Sequence, residues 1–136
     1  MSDSIREILE HYKTLAVVGL SSKFMRASHG VSEYMQERGY RIIPVNPMED
    51  FVLGEKCYPS LADVPEPFDV VVIFRRPEFV PEIVEAAIPK GAKVVWMQEG
   101  VVHEQAAERA RAAGMKVIMD RCILKEHAKR FVTERM

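Results

Sequence analysis

The side chains best suited to chemistry gather in four short polar segments. In the first, Gly19 is followed by the hydroxyls of Ser21 and Ser22, the cations Lys23 and Arg26, and Ser28. Hydroxyls, free backbone N–H groups and positive charge ahead of a helix suit a phosphate group. The second segment, Val45-Asn46-Pro47, offers a carboxamide at the end of an apolar run, with Glu49 and Asp50 just beyond. The third, Phe74-Arg75-Arg76-Pro77, sets two cations where a ligand with several phosphates would need them, although both could equally meet Glu78 or Glu82. The fourth, Met97-Gln98-Glu99-Gly100, is a polar turn after Trp96, itself read as core.

Other chemistries find less support. His11, His29, His103 and His127 lack metal-ligand spacing, and none neighbours a serine or cysteine nucleophile; His103 reads as a helix-start residue. The two cysteines, Cys57 and Cys122, lack the C-x-x-C spacing of a zinc site and make no disulfide framework, which fits a reducing cytoplasm. Lys plus Arg total 19 against 20 for Asp plus Glu, a net charge of −1, so no global field is expected to hold nucleic acid or an anionic membrane. A phosphate ligand must be gripped locally. The N-terminus reads as neither a signal peptide nor a membrane span.

The four segments owe their shared place to the elements around them. Residues 14–19, 40–45, 69–74, 93–97 and 115–119 are continuous apolar, β-branched runs of the kind buried on both faces of a parallel sheet. Between them the spacing predicts helices: over residues 4–12 with a Ser4/Glu7 capping box, from a cap at Ser28 through Val31, Tyr34 and Met35 to Gly39, around Pro81, over 104–113 and over 123–131. Residues 48–58 read as irregular and 60–64 as one helical turn. The alternation of strands with helices along the chain predicts an α/β fold, a Rossmann-like doubly wound parallel sheet of about five main strands with helices on both faces, in one domain spanning 1–136. In such a sheet ligands bind beyond the C-terminal strand ends, where the strand order reverses. All four polar segments fall on that edge.

A dinucleotide is disfavoured, because Gly19 has no second glycine at G-x-G-x-x-G spacing and the acid expected after the second strand is displaced to Glu49 or Asp50. An NAD(H)-binding oxidoreductase or redox-sensing domain is therefore the alternative reading.

The order of segments is itself recognisable. Val17-Val-Gly19-Leu-Ser21, Pro44-Val-Asn-Pro47, Tyr58-Pro-Ser-Leu61, Phe74-Arg-Arg-Pro77, Trp96-Met-Gln-Glu-Gly100 and Met119-Asp-Arg-Cys122 resemble the stand-alone CoA-binding domain proteins, relatives of the CoA-binding domain of the succinyl-CoA synthetase α subunit. The resemblance covers roughly residues 12 to 130. It implies that coenzyme A or an acyl-CoA is the small-molecule partner, touched by Ser21, Ser22, Lys23 and Phe24 and by Met97, Gln98 and Glu99. The synthetase has a lysine after the second strand where this chain has Met48-Glu49-Asp50; Lys23, Arg26, Arg75 or Arg76 could supply that charge. The synthetase's phosphohistidine domain and partner subunit have no match, so binding without catalysis is expected of this chain, and no protein partner is specified.

Overall fold

In the computed structural model, which describes residues 3–132, five parallel strands form one sheet: β1 (Thr14–Val18), β2 (Arg41–Val45), β5 (Val70–Ile73), β6 (Val94–Met97) and β7 (Lys116–Ile118). The domain bounds 1–136 read from the sequence extend beyond the described residues at both ends. The strand order is β2-β1-β5-β6-β7, and every pairing is parallel. After β1 the chain moves outward to β2, then returns to the other side of β1 with β5. The order therefore reverses between β1 and β5, which is where a doubly wound sheet opens a crevice.

Burial explains the unbroken apolar runs. Ala16, Val18, Ile43, Val71, Ile73, Val95 and Met97 face one side, packing against α3 (Val80–Ala87) and α4 (Glu104–Ala112). Leu15, Val17, Ile42, Val70, Val72, Val94 and Trp96 face the other, against α1 (Ser4–His11), α2 (Ala27–Glu37) and α5 (Ile123–His127). Alternate residues of each strand thus enter two different cores, so neither set can be polar. Trp96 is fully buried, and its indole N–H donates to the Arg121 carbonyl at 2.8 Å.

Three local expectations are corrected. The cap of α1 is Asp3, whose carboxylate accepts the Arg6 N–H, with Ser4 already in the helix. Helix α2 begins at Ala27 after Arg26, so Ser28 lies in its first turn and its hydroxyl turns back to the preceding loop. Residues 48–58 contain an antiparallel hairpin of β3 (Phe51–Val52) and β4 (Glu55–Lys56). Elsewhere the elements fall where the spacing put them, including the short 3-10 turn Leu61–Asp63. Helix α5 passes into a π-helical turn, Ala128–Val132.

Candidate functional site

The loop after β1 is shaped by its glycine. Gly19 has φ +90°, and its N–H donates to the Val45 carbonyl at 2.8 Å, which fastens the loop to the end of β2. The Asn46 carboxamide reinforces this by donating to the Leu20 carbonyl at 3.0 Å, while its oxygen accepts the Met48 N–H at 2.9 Å. Inside the loop the Ser28 hydroxyl accepts the Ser21 N–H, and the Ser21 hydroxyl accepts the Lys23 N–H, each at 3.1 Å. Two of the predicted serines therefore hold the loop's shape. The third, Ser22, is exposed, and both its N–H and its hydroxyl donate to a residue outside the loop.

Those two Ser22 donors converge on one atom. Oε2 of Glu49 accepts the N–H at 2.9 Å and the hydroxyl at 2.7 Å. These bonds, with Lys23 nearby, hold the Glu49 carboxyl below the usual carboxylate range. Helix α2 starts beside this loop without a side-chain cap and with no acid in its first turn. Its positive end and the exposed Lys23 and Arg26 make the surroundings electropositive.

Two adjoining pockets open on this edge. One, of about 650 Å³, is lined by Gly19, Ser21, Ser22, Lys23, Arg26, Ser28, Asn46 and Glu49 among others. The other, of about 460 Å³, is lined by Val31, Arg75, Arg76, Gln98, Glu99, Gly100, Val101 and Cys122 among others. Phe74 and Ala27 line both, so a long ligand can pass from the polar pocket to the second one across them. In the second pocket Gln98 is only 4% exposed; its side-chain oxygen accepts the Ile123 N–H at 3.0 Å, which fixes the carboxamide. Gly100, at φ +83°, is held by its N–H to Asp120 at 2.8 Å, and Lys125 bridges to Glu99 across the rim at 3.0 Å.

The remaining sequence assignments fall elsewhere. Val45 and Pro47 line a separate pocket of about 290 Å³ with Pro59, Leu61 and Arg75, on the α3 side of the sheet. Met97 ends β6 with its side chain wholly in the α3–α4 core, so only its backbone is on the edge. Phe24 is 77% exposed and lines none of these pockets. Arg75 and Arg76 do line the second pocket; the Arg75 guanidinium carbon is 4.2 Å from the centre of the Phe79 ring, and Arg76 stands 3.9 Å from Glu78 at the surface. His103 caps α4, its Nδ1 accepting the Ala106 N–H at 3.1 Å. Ala27, Val31 and Val101 were not singled out by sequence, and the Glu49 clamp on Ser22 was missed as well. Only the helical spacing of Ala27 and Val31 carried a signal for the former.

A doubly wound sheet of this order, with a serine loop and two adjoining pockets at its switch point, defines a Rossmann-like α/β domain. The family described as the CoA binding domain matches residues 13–128, and the chain belongs to that family. The chain is 47% identical over 124 residues to the uncharacterized protein YneT of Bacillus subtilis, covering 91% of this chain and 92% of that protein. A solved structure of a hypothetical protein from Pyrococcus horikoshii superposes with TM-score 0.90 at 45% identity, covering 93% of this chain and 89% of that one. The α subunit of ADP-forming acetate–CoA ligase I from Pyrococcus furiosus is 33% identical over 82% of this chain, which spans 28% of that subunit's length. Among the described residues no helix is long and apolar enough to cross a membrane.

Proposed function

We propose that this chain binds coenzyme A or an acyl-CoA at the C-terminal edge of the sheet, without catalysing a reaction on its own. The observation that carries this reading is the pair of adjoining pockets. The polar one, beside Ser22, Lys23, Arg26 and the uncapped start of α2, suits a diphosphate. The second, over Phe74 and Ala27 to Val31, Gln98 and Val101, suits a slender arm with amide groups and an apolar end. A ligand charged at one end and extended at the other fills both. The family match and the ligase subunits support the same ligand.

Thermal unfolding tests it. A ligand at 100 times its Kd adds about 2.7 kcal/mol to the native state, roughly 8 °C for a chain of this size. CoA is expected to give such a shift, while NAD and NADP give little, because the loop after Gly19 lacks the glycines that admit a dinucleotide. A larger shift with NAD than with CoA would replace this reading by the oxidoreductase or redox-sensor alternative. Mass spectrometry of protein purified under non-denaturing conditions checks independently for co-purified CoA.

A further inference from the structure

The serine loop already holds an anion belonging to the chain itself. Oε2 of Glu49 receives both donors of Ser22, at 2.9 Å from the N–H and 2.7 Å from the hydroxyl. Two donors converging on one oxygen is also how such a loop grips a phosphoryl oxygen. The carboxylate is aimed there by the turn after β2: the Asn46 side chain accepts the Met48 N–H at 2.9 Å and the Glu49 N–H reaches the Asn46 carbonyl at 3.3 Å, while Asn46 is tied to Leu20 of the serine loop. Lys23 lies close enough to favour the charged form. A phosphate cannot reach Ser22 in the same way until Glu49 leaves.

We propose that Glu49 is an internal competitor for the phosphate loop, a residue that sets how tightly, and for which ligands, the site can be occupied. This rests on the reading that the Ser22 loop receives the diphosphate of CoA. Being tethered, the carboxylate acts at a high effective concentration, so a small free anion that gains only the Ser22 contacts does not displace it. A ligand that also places an arm over Phe74 and Ala27 gains contacts that Glu49 cannot offer, and it does displace the carboxylate. Glu49 thereby keeps the loop closed to free phosphates and admits extended ligands. Every ligand that needs Ser22 binds more weakly by the fraction of molecules in which Glu49 has released it.

The test is calorimetric titration of the wild type, Glu49→Ala, Glu49→Gln and Asp50→Asn with CoA, inorganic pyrophosphate and pantetheine. Asp50 is exposed and adjacent, so its variant removes a neighbouring charge while leaving the Ser22 clamp in place. Glu49→Ala is expected to bind CoA and pyrophosphate about tenfold more tightly, with a smaller gain for Glu49→Gln, which keeps a neutral acceptor. Asp50→Asn is expected to change either by less than about twofold, and pantetheine, which has no phosphate, is expected to be indifferent to all three. Equal gains in Glu49→Ala and Asp50→Asn would reduce the effect to general charge and overturn the proposal, as would weaker binding in Glu49→Ala. CoA binding that is the same in wild type and Glu49→Ala leaves the ligand reading standing and removes the competitor. No CoA binding in any variant, with pyrophosphate still gaining in Glu49→Ala, does the reverse.

Discussion

A methyl group on Gly19 would stand 2.5 Å from the carbonyl oxygen of Phe74, a contact that real Cβ atoms essentially never make. The two residues directly follow β1 and β5, the neighbouring strands between which the sheet order reverses. Gly19 also needs φ +90°, a region that L side chains rarely adopt.

Gly19→Ala is therefore expected to cost about 3 kcal/mol, combining left-handed strain with a backbone clash that cannot relax without parting β1 from β5. Gly39→Ala is the matched control: it has φ +93° but no atom within 4 Å of an added Cβ. There about 1 kcal/mol is expected, from conformation alone. Urea unfolding of both variants separates the two effects, and equal losses would show that the Phe74 contact is unimportant.

Ser22→Glu is expected to abolish CoA binding while changing stability by less than about 1 kcal/mol, since Ser22 is exposed. The new carboxylate would stand where the diphosphate is placed and would repel Glu49. Ser22→Ala keeps the N–H and loses only the hydroxyl, so its affinity is expected to lie between. Unchanged affinity in Ser22→Glu by titration would make the serines turn residues and nothing more.

The sheet was legible because its signal is local and redundant. Each strand from Thr14–Val18 to Val94–Met97 buries both faces, so the whole run had to be apolar. The hairpin Phe51–Val52/Glu55–Lys56 was not legible, for its turn has Leu53 at φ 56° and Gly54 at φ 77°. A turn of that sign normally announces itself by Asn-Gly or Asp-Gly, and leucine hides it. The loops of the site could be named from the edge rule alone, but the role of each side chain depended on partners far along the chain. Ser22 meets Glu49 27 residues on, and Gln98 meets Ile123 25 residues on. No periodicity encodes such pairs. The acid after the second strand, whose displacement to Glu49 or Asp50 counts against a dinucleotide in the sequence, is in the structure the partner of Ser22 in the loop after β1.

The two ends of the described chain are joined by Arg130. Its guanidinium donates to Asp3 at 2.7 and 3.2 Å and to the Glu126 carboxylate at 2.7 Å, and the Glu126 side chain is 8% exposed. Arg130→Met is expected to cost about 2 kcal/mol, less than for an isolated buried pair because Lys129 and Arg121 remain 3.5 and 3.8 Å from Glu126. The pH dependence has a definite sign. The hydrogen bond from Arg130 lowers the Asp3 pKa; burial raises that of Glu126, but Arg130, Lys129 and Arg121 outweigh it and the net shift is also downward. Stability from both carboxylates is thus present above their ordinary values of about 4 and is lost as pH falls through the depressed ones. Acid titration of wild type against Arg130→Met is expected to show a shallower loss in the variant; identical slopes would remove Arg130 as the cause.

The last expectation concerns the direction of the CoA arm, and Cys122 is the residue placed to report it. Cys122 precedes α5, is 7% exposed, and lines the second pocket with Gln98, whereas Cys57 lines neither pocket of the crevice. The Cys57 thiol instead points to the Asn46 carbonyl at 3.4 Å, and burial pushes its pKa up, so little of it is nucleophilic near neutrality. An arm that crosses Phe74 and Ala27 carries its sulfur toward Cys122. With CoA disulfide as the oxidant, the Cys122 thiolate attacks one sulfur, a Cys122–S–S–CoA bond forms, and the other CoA leaves as its thiolate to be protonated. Peptide mass mapping is expected to find the adduct on Cys122 and not on Cys57, to find far less with glutathione disulfide at equal concentration, and to find none in Cys122→Ala. Labelling of Cys122 should also fall when excess reduced CoA competes for the crevice, because a site-directed adduct needs the same loop and arm contacts as reversible binding. Equal labelling of the two cysteines, or of neither, would mean that the arm does not run into this pocket and that Cys122 is there only to fill the α5 side of the core.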